Sequence, residues 1–417
     1  MMPRIFTCIL LLAVVPGAVS AQVAVRGGKV YTMTGPAVED GIVIVRDGKI
    51  AAIGRAADIA VPEGFKVLEA AVVTPGLIDA RSVVGLAGYF NHEHDQDQLE
   101  RSNPIQPELR AIDAYNTREA LIEWVRGYGV TVLHTGHAPG ELISGQTMIV
   151  KTTGNTVDDA ALVPTAGISV TLGPSSLRGG GQSPGTRGKQ ISMLRAKLLE
   201  ARSYLEAREK SVKKEGAKEG EKDEKAGEAP PVNLALDALC SALRKEVPLL
   251  ITAHRAQDIA SALRLKREFD LRIILDGGAE AYLLTDELKK ADVPVIIHPA
   301  MARYNGALQN ASFNTPARLK KAGLKVAMQS GYESYVPKTR VVLFEAAIAA
   351  ANGLGLEGAL ELITTSAADI LGISDRVGSL AVGKDGDLAL FDGDPFEYTT
   401  HCVGTIIEGR VVSDTPR

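Results

Sequence analysis

Segments with strand and helix patterns alternate through the middle of this chain, and this alternation limits the fold more than any other feature. Short apolar runs rich in β-branched residues are followed by amphipathic stretches with helical spacing. Repeated strand–helix units form parallel sheets, because each helix covers a face of the sheet. About 300 residues of this pattern favour an α/β fold with a closed (β/α)8 TIM-like barrel over an open doubly wound sheet. We predict strands at residues 71–79, 130–134, 248–254, 271–275, 293–298 and 324–330, and helices at residues 256–269 and 280–291.

The two ends of the chain have a different pattern, in which short β segments are separated by turn residues. We predict hairpins at residues 23–33, 42–53 and 405–412, with turns at Gly27-Gly28, Asp47-Gly48 and Glu408-Gly409, and a further strand at residues 388–391. Neither end has enough strands to bury a core alone. We therefore predict that residues 22–70 and 376–417 form one small composite β-sandwich domain beside a barrel at residues 71–375.

The first 21 residues have the pattern of a signal peptide. Arg4 supplies a positive charge, residues 5–15 are apolar but too short to span a bilayer, and residues 18–21 are small. We expect an exported protein, periplasmic or secreted, with no integral membrane segment in the rest of the chain. Removal of this leader takes Cys8 with it. The remaining Cys240 and Cys402 are expected to be two buried thiols, although export would permit a disulfide.

Composition narrows the classes of partner. The formal net charge is -4 and aromatic residues make up 5% of the chain, so neither a basic surface nor a base-stacking platform for nucleic acid is expected. No Gly-x-Gly-x-x-Gly motif follows a predicted strand, and a dinucleotide site therefore lacks its signature. Residues 207–231 are rich in charge of both signs and poor in large apolar groups. We interpret them as a helix that continues into a mobile surface insertion.

Several strings along the chain resemble one known family. They are VTPGLIDA at residues 73–80, GYGVTV at 127–132, LLITAHRAQDI at 249–259, LELITTSAADIL at 360–371 and RVGSLAVGKDGDLAL at 376–390. Together they are similar to the amidohydrolase superfamily, in the branch of imidazolonepropionase-like metal-dependent hydrolases. The resemblance covers nearly all of the chain after residue 21. It implies a (β/α)8 barrel with a composite β-sandwich, and hydrolysis of non-peptide carbon–nitrogen bonds.

The resemblance also implies a metal site at the carboxyl ends of the barrel strands. The family pattern has His-x-His after strand one, a carboxylated Lys on strand four, a His ending each of strands five and six, and an Asp ending strand eight. In this chain these positions hold Arg81, Val83, Ser169, His254, Gly277 and Gly331. Only His254 matches, and a guanidinium cannot ligate a metal. We therefore expect no cofactor and predict a pseudoenzyme, with enzymatic activity left open.

A cation beside a retained histidine suggests a function for the altered site. Arg81 would replace the lost metal charge and, with His254, bind a small anionic ligand such as a carboxylate. The alternative for Arg81 is a structural ion pair with Glu280 or Glu333.

Two other functions remain open from the sequence. His134 and His298 end predicted strands, and His137 lies just after one. With His254, these histidines would form a rebuilt zinc site in an active hydrolase. His92 and His94 also have metal-ligand spacing, but we place them in a solvated loop. The third possibility is a partner role, as a homo-oligomer or a hetero-oligomer with an active related barrel.

Overall fold

The computed structural model describes residues 22–90, 92–216, 229–333, 338 and 340–417. The predicted signal peptide lies outside the described residues. Of the predicted insertion, residues 207–216 continue a helix, and residues 217–228 lie outside the described part.

Both ends of the chain combine in one seven-stranded sheet with the order β15-β14-β13-β4-β1-β2-β3. Strand β4 pairs with β1 in parallel and with β13 in antiparallel orientation, so it joins the two ends. The composite domain predicted from the termini is thereby confirmed. Its strands are β1 (Val23–Val30), β2 (Val38–Arg46), β3 (Lys49–Arg55), β4 (Lys66–Pro75), β13 (Leu388–Phe391), β14 (Cys402–Ile407) and β15 (Arg410–Ser413).

Two of the three predicted hairpins are present. Asp47-Gly48 and Glu408-Gly409 adopt positive φ angles, as primed turns require, and they connect β2 to β3 and β14 to β15. The hairpin at Gly27-Gly28 was wrong, because β1 continues straight through both glycines. A Cβ atom on Gly27 would lie 2.8 Å from Val73 Cγ2. These glycines therefore permit close packing on β4 and do not form a turn.

The second sheet has eight strands in the order β12-β11-β10-β9-β8-β7-β6-β5. The backbone N–H of Ala80 donates to Met328 O over 3.1 Å, which brings the two edge strands together and nearly closes the barrel. The α/β barrel fold is confirmed. Its strands are β5 (Leu77–Ser82), β6 (Val130–Gly136), β7 (Ile143–Lys151), β8 (Ala161–Thr171), β9 (Leu249–Ala253), β10 (Ile273–Gly277), β11 (Val295–Ile297) and β12 (Val326–Ala327).

The barrel departs from strict strand–helix alternation at β7, which is antiparallel to both β6 and β8. The strand predicted at residues 71–79 is divided between β4 in one sheet and β5 in the other. The break falls at Gly76, where a Cβ atom would lie 2.2 Å from Thr131 Oγ1. The strand predicted at residues 324–330 is only two residues long, because Ser330 N donates to the Asp79 carboxylate and not to a neighbouring strand.

Helices cover the outside of the barrel. Helix α5 matches its predicted bounds, whereas the helix predicted at residues 280–291 shortens to α6 after a 3-10 turn at Ala281–Leu283. The helices are α1 (Ala120–Arg126), α2 (Val157–Ala160), α3 (Arg187–Gly216), α4 (Leu234–Leu243), α5 (Ala256–Phe269), α6 (Thr285–Lys290), α7 (Thr315–Lys321), α8 (Val342–Ala349), α9 (Gly355–Leu362) and α10 (Thr365–Leu371).

One helical stretch, Val342–Leu362, is long and apolar enough to cross a membrane by length and composition alone. We expected no such stretch from the sequence. It comprises α8, a π turn at Ala350–Leu354 and α9, and Asn352 and Gly353 within the turn have non-helical dihedral angles. Helix α8 also buries Glu345. An interrupted helix that buries a carboxyl group against the barrel is typical of a core helix in a globular domain.

Both described cysteines, Cys240 and Cys402, are free and buried. The expectation of two separate thiols is confirmed.

Candidate functional site at the barrel mouth

The carboxyl ends of the parallel strands meet at one end of the barrel, and most of the predicted site residues gather there. Arg81 lies on β5 and His134 on β6, while His254 and His298 directly follow β9 and β11. All four side chains are buried. We define the barrel mouth as these four residues together with Asp79, His137, Ser169, Asp276, Gly277, Gln329, Ser330, Gly331 and Tyr332.

Arg81 is fully buried at the centre of the barrel mouth. Its Nη2 donates to the carbonyl oxygen of His137 and, over 3.4 Å, to Ser169 Oγ; its Nη1 donates to Ser82 O over 3.4 Å. The Nε atom has no partner among the described residues. Burial lowers the pKa of Arg81, and the nearby Asp276, Tyr332 and Asp79 oppose this decrease. The guanidinium is thus held by the protein itself.

The expected acidic partners of Arg81 were wrong. Glu280 accepts hydrogen bonds from Arg255, Ala256 N and Asn310, and Glu333 accepts one from Arg340 over 2.9 Å. Both carboxylates are therefore engaged outside the Arg81 contact shell.

Two other buried carboxyl groups, which the sequence reasoning missed, lie near Arg81. Asp79 accepts from Ser330 N over 3.0 Å and from Ser330 Oγ, and burial raises its pKa to about 7. Asp276 accepts from Thr252 Oγ1 over 2.5 Å and from Gln329 Nε2 over 2.6 Å, and burial raises its pKa as well. The available signal was an acidic residue inside an apolar strand, since a buried carboxylate requires hydrogen bonds or a counter-charge.

The backbone at two of the family metal positions excludes side chains. Gly277 has φ of +88°, and a Cβ atom there would lie 2.4 Å from His254 Cε1. Gly331 has φ of +98°, and its Cβ would lie 2.9 Å from Pro299 Cγ. L-residues rarely adopt such φ angles. Val83 belongs to the apolar core, so the retained His254 has no ligand partner at these three positions.

The four strand-end histidines do not form a shared metal site. His134 lies with Nδ1 2.8 Å from Ala80 O and Nε2 2.7 Å from Thr147 Oγ1, so both ring nitrogens are engaged. Burial lowers the pKa of His134 to about 3, and that of His137, His254 and His298 to about 4. Within the described part of the chain, no three His, Cys, Asp or Glu side chains are placed to hold a metal ion.

The His-x-His pair in the loop after β5 lies away from the barrel mouth. His92 and His94 are exposed, and their rings stack on each other with centroids 5.5 Å apart. Their prediction as solvated loop residues is confirmed.

Comparison with known proteins agrees with the barrel fold. A family model described as the amidohydrolase family matches residues 246–413. The crystal structure of an amidohydrolase from Thermotoga maritima MSB8 superposes with a TM-score of 0.86 and 25% sequence identity, over 94% of this chain and 100% of that chain. The chain belongs to the amidohydrolase superfamily.

Two curated relatives of this superfamily member are more distant. An amidohydrolase tasK of Hapsidospora irregularis is 23% identical over 96% of this chain, which spans only 42% of the length of that relative. A 5-methylthioadenosine/S-adenosylhomocysteine deaminase of Symbiobacterium thermophilum is 23% identical, over 94% of this chain and 93% of the deaminase. The named activities belong to those proteins.

Metal-dependent hydrolysis is usual in the superfamily, but the donor set at this barrel mouth does not fit a divalent metal. A catalytic zinc requires about three protein ligands and an open position. Here a guanidinium replaces one ligand position, and glycines that leave no room for a side chain replace two others.

Two further charged residues near the barrel mouth were missed by the sequence reasoning. Arg340, just before α8, is 7% exposed, and Glu345 on α8 is fully buried. Glu345 accepts from Met301 N over 3.0 Å, its other oxygen has no described partner, and burial raises its pKa to about 7. Neither residue lies in a string that resembles the family, so only the tertiary structure identifies them.

A further cavity lies away from the barrel mouth. It has a volume of about 600 Å³, lies beside α4, and is lined by residues such as Arg110, Gln146 and Glu246. None of the predicted site residues lines it, so this cavity is separate from the barrel mouth.

Proposed function

We propose that this amidohydrolase-superfamily member is a pseudoenzyme that binds a small anionic ligand at the barrel mouth and does not carry out metal-dependent hydrolysis. The observation that supports it is the full burial of Arg81, the residue that stands where the resemblance predicts a metal ligand.

Arg81 would repel a divalent metal ion bound at the barrel mouth. A divalent cation about 4 Å from a guanidinium is repelled by about 8 kcal/mol at an effective dielectric constant of about 20. Since about 1.4 kcal/mol corresponds to a tenfold change in affinity, this repulsion would reduce metal affinity by more than about 10⁵-fold. Asp79 and Asp276 reduce this repulsion only to the extent that they are ionised, and burial raises the pKa of both carboxyl groups.

Metal content is the first test. The protein is purified without a chelator or a metal-binding tag, dialysed against zinc and then against buffer, and analysed by mass spectrometry beside a zinc-binding superfamily member treated identically. We expect less than about 0.1 zinc per chain, because one histidine cannot replace the usual three ligands. A ratio near one overturns the proposal in favour of the active hydrolase with a rebuilt histidine site. His254, His298, His134 and His137 would then be replaced first.

We also propose that the protein acts outside the cytoplasm. The support is the order of charge, apolar run and small residues in positions 1–21. N-terminal sequencing of the protein from its own cells tests this, with Gln22 expected as the first residue and an intact leader as the contrary result.

A further inference from the structure

The charged residue best placed to receive a ligand is Arg340 and not Arg81. We propose that Arg340, together with His254 and His298, binds a small carboxylate that has a hydroxyl or N–H group next to the carboxyl carbon. Arg81 remains an internal counter-ion for Asp79 and Asp276. This inference rests on the proposed ligand-binding function and names its ligand class.

Arg340 lies where the last family position would direct a side chain. A Cβ atom on Gly331 would be 3.4 Å from Arg340 Nη1. The family places an acidic residue at that position, and in this chain a cation approaches it from the segment before α8. The charge at this side of the barrel mouth is therefore reversed, which favours a negatively charged ligand.

The two arginines differ in how firmly the protein holds them. Arg81 is fully buried and donates to three protein oxygens. Among the described residues, Arg340 donates from Nη2 to Glu333, whose side chain is 52% exposed. A pair with so exposed a carboxylate contributes little stability, and an incoming carboxylate can replace Glu333. A planar guanidinium binds a carboxylate through two parallel hydrogen bonds.

His254 offers a hydrogen-bond donor. The Tyr332 hydroxyl lies 3.3 Å from His254 Nε2, and burial raises the pKa of Tyr332, so the hydroxyl stays protonated and can donate. We assign the donor role in this contact to Tyr332, so that His254 Nε2 accepts and Nδ1 carries the hydrogen. This Nδ1 is buried and has no partner among the described residues.

His298 offers an acceptor. Its Nδ1 lies 2.9 Å from Pro299 O, which can only accept, so Nδ1 carries the hydrogen. With its hydrogen on Nδ1, the neutral ring leaves Nε2 as an acceptor, and this buried atom has no partner among the described residues. An unpaired buried group of this kind is costly. One donor and one acceptor beside a cation match a carboxylate with an adjacent hydroxyl or N–H group.

Lactate and propionate form a matched pair of probes, because they differ only in the hydroxyl group. Binding to the full-length purified protein is measured by isothermal titration calorimetry. We expect lactate to bind about tenfold more tightly than propionate, because its hydroxyl group adds one hydrogen bond to a buried acceptor. Equal affinities would overturn the assignment of His298 as acceptor.

Variants separate a binding role from a structural one. We expect Arg340→Gln to weaken lactate binding by at least about tenfold and Arg340→Lys to weaken it less. Glu333→Gln should strengthen binding about threefold or more, because it removes the competing carboxylate, and a merely structural Arg340 would not produce this gain. Arg110→Gln is the control, since Arg110 is exposed and pairs with Asp113.

The outcomes distinguish this inference from the proposed function. Unchanged lactate binding in Arg340→Gln overturns the assignment of Arg340. The same holds if neither the wild-type protein nor Glu333→Gln binds lactate or propionate. In both cases a chain without zinc would still support the proposed pseudoenzyme. One zinc per chain overturns the proposed function itself.

Discussion

The two ends of the barrel both bury charged groups, but they satisfy them differently. At the end opposite the barrel mouth, Lys151 donates to Asp385 over 2.7 Å and to Asp387 over 3.1 Å, and it lies 2.9 Å from Glu408. The buried ammonium thus has three acidic partners, and this cluster joins β7 to the composite sheet. We call it the junction cluster.

The barrel mouth leaves many more polar atoms unpaired. Among the described residues, the junction cluster has one such buried atom, Asp387 Oδ2, whereas the barrel mouth has Arg81 Nε, both ring nitrogens of His137, His254 Nδ1, His298 Nε2 and Gln329 Oε1. Buried groups are normally hydrogen-bonded, and exceptions often accompany function. The difference teaches that buried charge alone does not indicate a site; unpaired buried groups at converging strand ends do.

The largest expected effect tests whether the junction cluster is structural. Lys151→Met leaves Asp385 and Asp387 without their buried cation, and we expect the free energy of unfolding to fall by about 3–5 kcal/mol. Denaturant unfolding measures it. Lys49→Met is the control, because Lys49 pairs with the same Asp385 but its side chain is 52% exposed; its expected loss is at most about 1 kcal/mol. Equal losses for the two variants would contradict the distinction.

The same experiment at the barrel mouth tests the counter-ion role of Arg81. Arg81→Met leaves Asp276 and Asp79 without a cation, so we expect a loss of about 3 kcal/mol or more. Because we assign ligand binding to Arg340, the lactate affinity of Arg81→Met should change less than that of Arg340→Gln. A stable Arg81→Met protein that no longer binds lactate would reverse the two assignments.

The pH dependence of the free energy of unfolding tests whether Glu345, a buried carboxyl group near the barrel mouth, has a raised pKa. Burial raises its pKa from 4.5 to about 7, so between these values the folded protein binds a proton that the unfolded chain has lost. The contribution of Glu345 to the free energy of unfolding is therefore fully present below pH 4.5 and is lost as the pH rises towards 7. Relative to wild type, Glu345→Gln should gain up to about 3 kcal/mol over this range.

Unfolding free energies at several pH values measure this gain. Glu287→Gln, on the exposed surface of α6, should follow the wild-type curve. A difference in unfolding free energy between Glu345→Gln and wild type that does not change with pH would contradict a raised pKa of Glu345.

The smallest expected effect concerns the glycine beside His254. Gly277→Ala places a methyl group 2.4 Å from the His254 ring in a positive-φ position, and we expect a loss of about 1–3 kcal/mol. The His254 ring signals in an NMR spectrum should shift. Gly179→Ala meets no neighbour within 4 Å and should change stability by less than about 0.5 kcal/mol. An undisturbed His254 in Gly277→Ala would mean that the glycine does not protect the ring.

Much of the fold could be predicted because its signals are local. The Asp47-Gly48 turn, helix α5 and the apolar strands β6 and β9 follow from backbone preference and hydrophobic spacing over a few residues. The hairpin predicted at Gly27-Gly28 was wrong because glycine occurs both in turns and where strands pack closely. Only the position of the neighbouring β4 distinguishes these two cases. The antiparallel β7 also has no local signal of its direction.

The sequence alone predicts that the strand ends lack the family ligand set, because Arg81, Val83, Gly277 and Gly331 stand just after predicted strands. Only the tertiary structure decided which charges meet. It placed Arg81 near Asp79 and Asp276, paired Glu280 with Arg255, and brought Arg340 close to Gly331. The physical reason is that ion pairs and hydrogen bonds depend on distances of a few ångströms between residues far apart in the chain, whereas strand and helix patterns depend on neighbours.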